Sequence, residues 1–111
     1  MTPAPASVAY IDVSNSTDGR SITNITINGF TLSGGTFPIV PGDGGSFVTS
    51  QVGTSETIVV SYSGTGFAYV QVIDSDGTTC ANATSTSRTF AGQLITNGDI
   101  IFVQMDDGPC P

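Results

Sequence analysis

The chain is 111 residues long and carries a formal net charge of −7, from nine acids against Arg20 and Arg88, with no His and no Lys. That length fits one domain, which buries about two-thirds of its unfolded surface. The charge excludes nucleic-acid and anionic-membrane binders, which need clustered Lys and Arg, and no apolar run approaches the roughly 18 residues of a membrane-spanning helix.

Helix formers are scarce: Glu56 is the single Glu, and Leu32 and Leu94 are the only leucines. Thr, Ser, Val, Ile and Gly dominate, a mixture suited to pleated strands joined by tight turns. In chain order, "SVAYIDV" (7–13) reads as a first strand behind an N-terminal arm, residues 1–7. "SITNITI" (21–27) sets Ile25 and Ile27 on one face, and Asn28-Gly29 turns it into "FTLS" (30–33) as a hairpin, because both residues tolerate the positive φ of a type I′ turn. "GGTFPIVPGDGGSF" (34–47) holds two prolines that cannot donate to a ladder, so "FPIV" is expected at an edge between loops. "SFVTSQV" (46–52) is expected to pair only briefly.

The second half alternates more regularly. "ETIVVSYS" (56–63) places Ile58, Val60 and Tyr62 together, and after "GTG" the stretch "FAYVQVID" (67–74) sets Ala68, Val70 and Val72 opposite Phe67, Tyr69 and Ile73. "SDG" turns into "TTCANAT" (78–84). "RTFAGQLIT" (88–96), Asn97-Gly98 and "DIIFVQM" (99–105) read as the clearest hairpin of the chain. The expectation is an all-β fold, a single antiparallel β-sandwich of seven to nine short strands over residues 8–105, with a C-terminal tail at 106–111. In its strand spacing and hairpin turns the whole length resembles the Ig-like and jelly-roll modules of phage virions and bacterial surfaces. The Trp of antibody domains is absent, so the resemblance implies an architecture and no functional residues.

"IDSDGTTC" (73–80) opens like a calcium loop, with Asp74 and Asp76 alternating before Gly77. An EF-hand would continue with an acid or Asn, Gly and finally Glu, where this chain has Thr78, Thr79 and Ser85. A hairpin corner is the better reading. Asp106 and Asp107 are neighbours on an extended backbone and point apart, which makes a poor chelate; a calcium site joining them to Asp43 or Asp74 is the alternative weighed against that. No metal or cofactor is expected.

Catalysis lacks its parts. Without His there is no ordinary base for the Ser and Thr hydroxyls or for Cys80, and without Lys no Schiff base. Two Cys and no His fall short of a zinc set. Nothing in the spacing of Glu56 and the aspartates favours a glycosidase pair. Sugar binding relies on exposed aromatics, and Tyr10, Tyr62 and Tyr69 sit in strand alternation, the position of core or half-buried rings. Sequons stand at Asn15, Asn24 and Asn82, slightly more than chance provides. Cys80 and Cys110 are expected to pair, closing a loop worth about 3–4 kcal/mol and pinning the tail.

By exclusion the chain reads as a non-enzymatic structural subunit of a large assembly, most specifically a capsid-decorating or fibre/tail protein of a bacteriophage, on the virion surface or outside the cell. The start "MTPAPASVAY" shows no signal-peptide pattern, which fits either a mature secreted domain given a start Met or a product that is packaged rather than exported. Other protein subunits are the expected partners, met through the N-terminal arm, the "FPIVPGDGG" edge and the tail, with no nucleic acid and no membrane. The alternative is a secreted or surface adhesion module that binds a glycan through its loops.

Overall fold

The computed structural model describes residues 7–84 and 86–111. The N-terminal arm expected at 1–7 therefore lies outside the described residues except for Ser7. Among those described, nine strands form: β1 (Ala9–Asn15), β2 (Arg20–Ile27), β3 (Phe30–Thr31), β4 (Gly44–Thr49), β5 (Gly53–Gly64), β6 (Ala68–Ile73), β7 (Thr78–Asn82), β8 (Ser87–Ile95) and β9 (Ile100–Asp107). They build a five-stranded sheet, β4-β1-β9-β6-β7, and a four-stranded sheet, β3-β2-β5-β8. The fold is all-β, with the two sheets packed on one another.

Alternation decides the interior. β1 buries Ala9, Ile11 and Val13, β6 buries Ala68, Val70 and Val72, and β9 buries Ile101, Val103 and Met105. From the other sheet come Ile22, Ile25, Ile27, Ile58, Val60, Tyr62, Phe90 and Ile95. In β6 the smaller aliphatic set faces in, while the bulkier Tyr69 and Ile73 are half-exposed on the outer face.

Three expectations are corrected. First, the pairing is not wholly antiparallel: β1 runs parallel to β9, from Tyr10 opposite Ile100 to Asn15 opposite Met105. Both strands start at the same end, where the Tyr10 N–H donates to the Asp99 carbonyl and the Gly98 N–H to that of Val8. Parallel neighbours need a long crossover, and the whole intervening chain supplies it.

Second, β8 and β9 are no hairpin, because they belong to different sheets. Asn28-Gly29 has φ of 54° and 85°, both positive as a type I′ hairpin turn requires, and it joins β2 to β3. At Asn97-Gly98 only Gly98 has positive φ, 82°, and the turn closes from the Asp99 N–H to the Thr96 carbonyl. The same dipeptide therefore makes a hairpin once and a corner between sheets once. Among the described residues only β2–β3 and β6–β7 are hairpins; every other connection between successive strands crosses from one sheet to the other.

Third, β4 pairs with β1 along its full six residues rather than briefly. The "FPIV" segment lies at an edge as expected, but its backbone is used internally. Ile22 and Ile39 exchange both N–H···O bonds, at 2.9 and 2.8 Å, and Ile39 is buried. Phe37 stacks on the core ring of Phe47 with centroids 4.6 Å apart.

The tail is also held from within. β9 continues to Asp107, past the expected boundary at 105. The Gly108 N–H donates to the Phe67 carbonyl, and Cys110 is bonded to Cys80 with Cα atoms 6.0 Å apart.

Candidate functional site

Asp74 closes the turn between β6 and β7. Its Oδ1 accepts the N–H groups of Asp76 and Gly77, at 2.9 and 2.8 Å, and its Oδ2 accepts the Leu94 N–H of β8 at 2.8 Å. The carboxylate that resembled a calcium ligand thus accepts three backbone N–H groups and ties the two sheets together. Beside it the Ser75 hydroxyl donates to Asp99 Oδ2 and the Ile100 N–H to Oδ1. The hydroxyl first, and the backbone N–H second, hold the Asp99 carboxyl below its ordinary pKa.

The remaining acids do not gather into a metal site. Asp106 and Asp107 accept N–H groups from Asp107 and Asp18, and Asp43 accepts from Gly44. Among the described residues no group of three or more His, Cys, Asp or Glu is placed to hold a metal ion.

The sequons separate by burial. Asn15 is 1% exposed, and its Nδ2 donates to the carbonyls of Arg20 and Ile39 while its Oδ1 accepts from the Thr17 N–H and hydroxyl. An amide spent in this way offers no nitrogen for a glycan. Asn24 is half-buried and Asn82 exposed.

Both cations serve the fold. Arg20 Nε donates to the Gly66 carbonyl, with its guanidinium carbon 5.4 Å from the Tyr62 ring centroid, and Arg88 Nε donates to the Asn82 carbonyl. Burial pushes the pKa of Tyr62 up, against the pull of Arg88 and Arg20, and its hydroxyl donates to the Thr84 carbonyl.

Two surfaces remain unexplained by the fold itself. One is an apolar strip on the outer face of the five-stranded sheet. The register sets Val48, Tyr10 and Ile100 side by side, and Phe102 opposite Ile73 on the next row. Tyr10 is 46% and Ile100 50% exposed, and with Gly34, Phe47 and Val48 they line a depression of about 440 Å³. The tyrosines thus divide: Tyr62 is core, Tyr69 half-buried, and Tyr10 lies open beside Asp12 on the same face.

The other surface is the lateral edge where β7 and β8 face each other. Among the described residues each pairs on one side only, with β6 and β5 respectively, and between them runs a groove of about 420 Å³. Arg88 stands at one end and Asp74 and Asp76 at the other, with Phe90, Ala81 and Gln93 between. Gln93 is 4% exposed; its Nε2 donates to the Ala91 carbonyl at 3.2 Å, and its Oε1 has no hydrogen-bond partner among the described residues.

Sequence reasoning missed Gln93, and the cause is local. Between Phe90 and Gln93 β8 carries one residue more than β5, with Gly92 at φ 68°, so the alternation slips and a polar residue is turned inward. Comparison with known protein families, with curated proteins and with solved structures finds no match to this chain.

Proposed function

We propose that this chain is a non-enzymatic structural subunit of a large assembly: a β-sandwich module of the Ig-like or jelly-roll kind that decorates the capsid or builds the fibre or tail of a bacteriophage. The observation that carries the reading is the strip of Tyr10, Ile100, Val48, Phe102 and Ile73. On a small acidic protein a contiguous apolar face of this kind marks a place where another protein sits. The internal bonds of Asp74, Asn15, Arg20 and Arg88 support the non-enzymatic part, since each of these side chains takes part in holding the fold. The Cys80–Cys110 bond forms in oxidising surroundings, which supports a place on a virion surface or outside the cell.

The "FPIVPGDGG" edge and the tail make bonds within the fold, which supports the outer face as the place of subunit contact; the N-terminal arm, also expected to reach neighbours, lies outside the described residues except for Ser7. Sedimentation velocity over a concentration series tests this. The wild-type chain is expected to self-associate, and Tyr10→Ser with Ile100→Ser to stay monomeric with its circular dichroism unchanged. A wild-type chain that is monomeric throughout would remove the reading.

One observation favours the adhesive alternative. Tyr10 presents its ring on a sheet face with Asp12 beside it, an aromatic platform next to an acceptor such as a sugar ring uses. Titration with a panel of oligosaccharides, repeated on Tyr10→Ala, decides between them.

A further inference from the structure

We propose that the groove between β7 and β8 binds an extended segment of another polypeptide, which adds to β7 as a sixth strand and gives a side-chain hydrogen bond to Gln93. The inference stands on the lateral edge and not on the outer-face strip.

Three observations lead to it. The first is the backbone of β7. The Ala83 N–H donates to the Ala68 carbonyl and the Asp74 N–H to the Gly77 carbonyl. By antiparallel alternation the pairs Val70/Ala81 and Val72/Thr79 are then the ones that exchange bonds, and Thr78, Cys80 and Asn82 turn their N–H and C=O groups away from β6. The Arg88 Nε contact with the Asn82 carbonyl agrees with that direction. Thr78 and Cys80 thus offer a regular, unbulged ladder, the feature that β-strand addition uses. β8 is less suited, because its bulge breaks the ladder.

The second observation is Gln93. A buried amide oxygen without a donor costs stability, and the residue that carries this one, Gln93, lines the groove. An incoming strand supplies the donor. Because opposed residues on neighbouring strands share a face, the segment's residue opposite Ala81 turns inward beside Phe90, and the one opposite Thr79 turns inward at the Asp74 end. That is the Gln93 end too, since Asp74 Oδ2 holds the Leu94 N–H. The segment therefore reads as an apolar residue and, two positions later, a side chain that donates a hydrogen bond.

The third observation is charge. Arg88 and Asp76 mark opposite ends of the groove, which complements a segment running antiparallel to β7 with an acid first and a base last. These 111 residues do not supply a free base: their only cationic side chains are Arg20 and Arg88, and each donates to a carbonyl of its own fold.

The test uses the acetylated, amidated peptide Thr-Glu-Val-Thr-Ser-Thr-Lys, fluorescently labelled and titrated with the intact, disulfide-bonded protein. Saturable binding is expected, weakened about three- to tenfold either by Gln93→Leu or by Ser→Ala in the peptide. Combining the two changes should cost no more than one alone. N-methylation of the two Thr residues that face Cys80 and Thr78 should abolish binding, while N-methylation of Val and Ser should leave it. Gln93→Leu keeps an apolar side chain of similar size in place, and its melting temperature serves as the check on folding. Absence of binding, or binding indifferent to N-methylation and to residue 93, would overturn the proposal. A bound water at Gln93 with no peptide affinity counts against it equally.

Discussion

Along one lateral edge of the molecule residues 31–48 stitch the sheets together: Thr31 pairs with Thr26 and Ile39 with Ile22 in one sheet, and Ser33 with Val48 in the other. Along the opposite edge β7 and β8 stop short of each other. The Asp74–Leu94 and Arg88–Asn82 contacts span the gap, and the Cys80–Cys110 bond braces β7 from the tail. Both edges are built from short, β-branched, polar stretches, so composition does not set them apart. What separates them is where the backbone donors and acceptors go. At the closed edge they meet partners from the same chain; at the open one, among the described residues, a ladder is left over. Proteins usually blunt such an edge, and here only β8, through its bulge, is blunted.

The largest expected effect comes from releasing the brace on the open edge. Cys80→Ser with Cys110→Ser removes a loop closure over a sequence separation of 30 and should lower unfolding free energy by about 3–4 kcal/mol in urea titrations. It should also raise amide exchange in β7 before it does so in β4.

At the closed edge, Ile39→Ala empties a buried site and is expected to cost about 3 kcal/mol. Exchange at Ile22 should rise while β7 is left unchanged, the mirror image of the disulfide variant. Asn15→Ala strips partners from two carbonyls and a backbone N–H, and about 2 kcal/mol is expected from the same titration. If that variant proves neutral, the closed edge is not held as described.

Gln93→Leu should go the other way, with a gain of about 1 kcal/mol, because an unpartnered buried oxygen is replaced by an apolar group. The smallest effect concerns Asp99. Its pKa is depressed in the folded state, so the stability it contributes is present above its unfolded pKa and is lost as the pH falls through the folded one. Acid titration of stability should steepen below about pH 4, and Asp99→Asn should flatten that part of the curve.

Much of the fold was legible from residue order alone. The alternation of Ile58, Val60 and Tyr62 announced a strand with one buried face, and Asn28-Gly29 announced a hairpin, because both signals are local. The mismatch of Thr78, Thr79 and Ser85 to a calcium loop was local too, and the corner formed by Asp74 agrees with it. Asn97-Gly98 misled for the same reason: flanking alternation says that two strands follow one another and is silent on whether they share a sheet. Tyr10 misled because period-two alternation gives two faces without saying which is inward. In β6 the outer face carries Tyr69 and Ile73 with Gln71 between them, and the inner one the smaller Ala68, Val70 and Val72.

The sequence by itself determined the all-β class, the approximate strand positions and the absence of His and Lys, since these follow from composition and spacing within a few residues. The tertiary structure alone decided that β1 lies beside β9, that one edge is sewn shut and the other open, and that Gln93 is buried with an oxygen to spare. Those are matters of pairing between distant segments. Backbone hydrogen bonds carry no side-chain label, so which strand satisfies which can be settled only by how the whole chain packs.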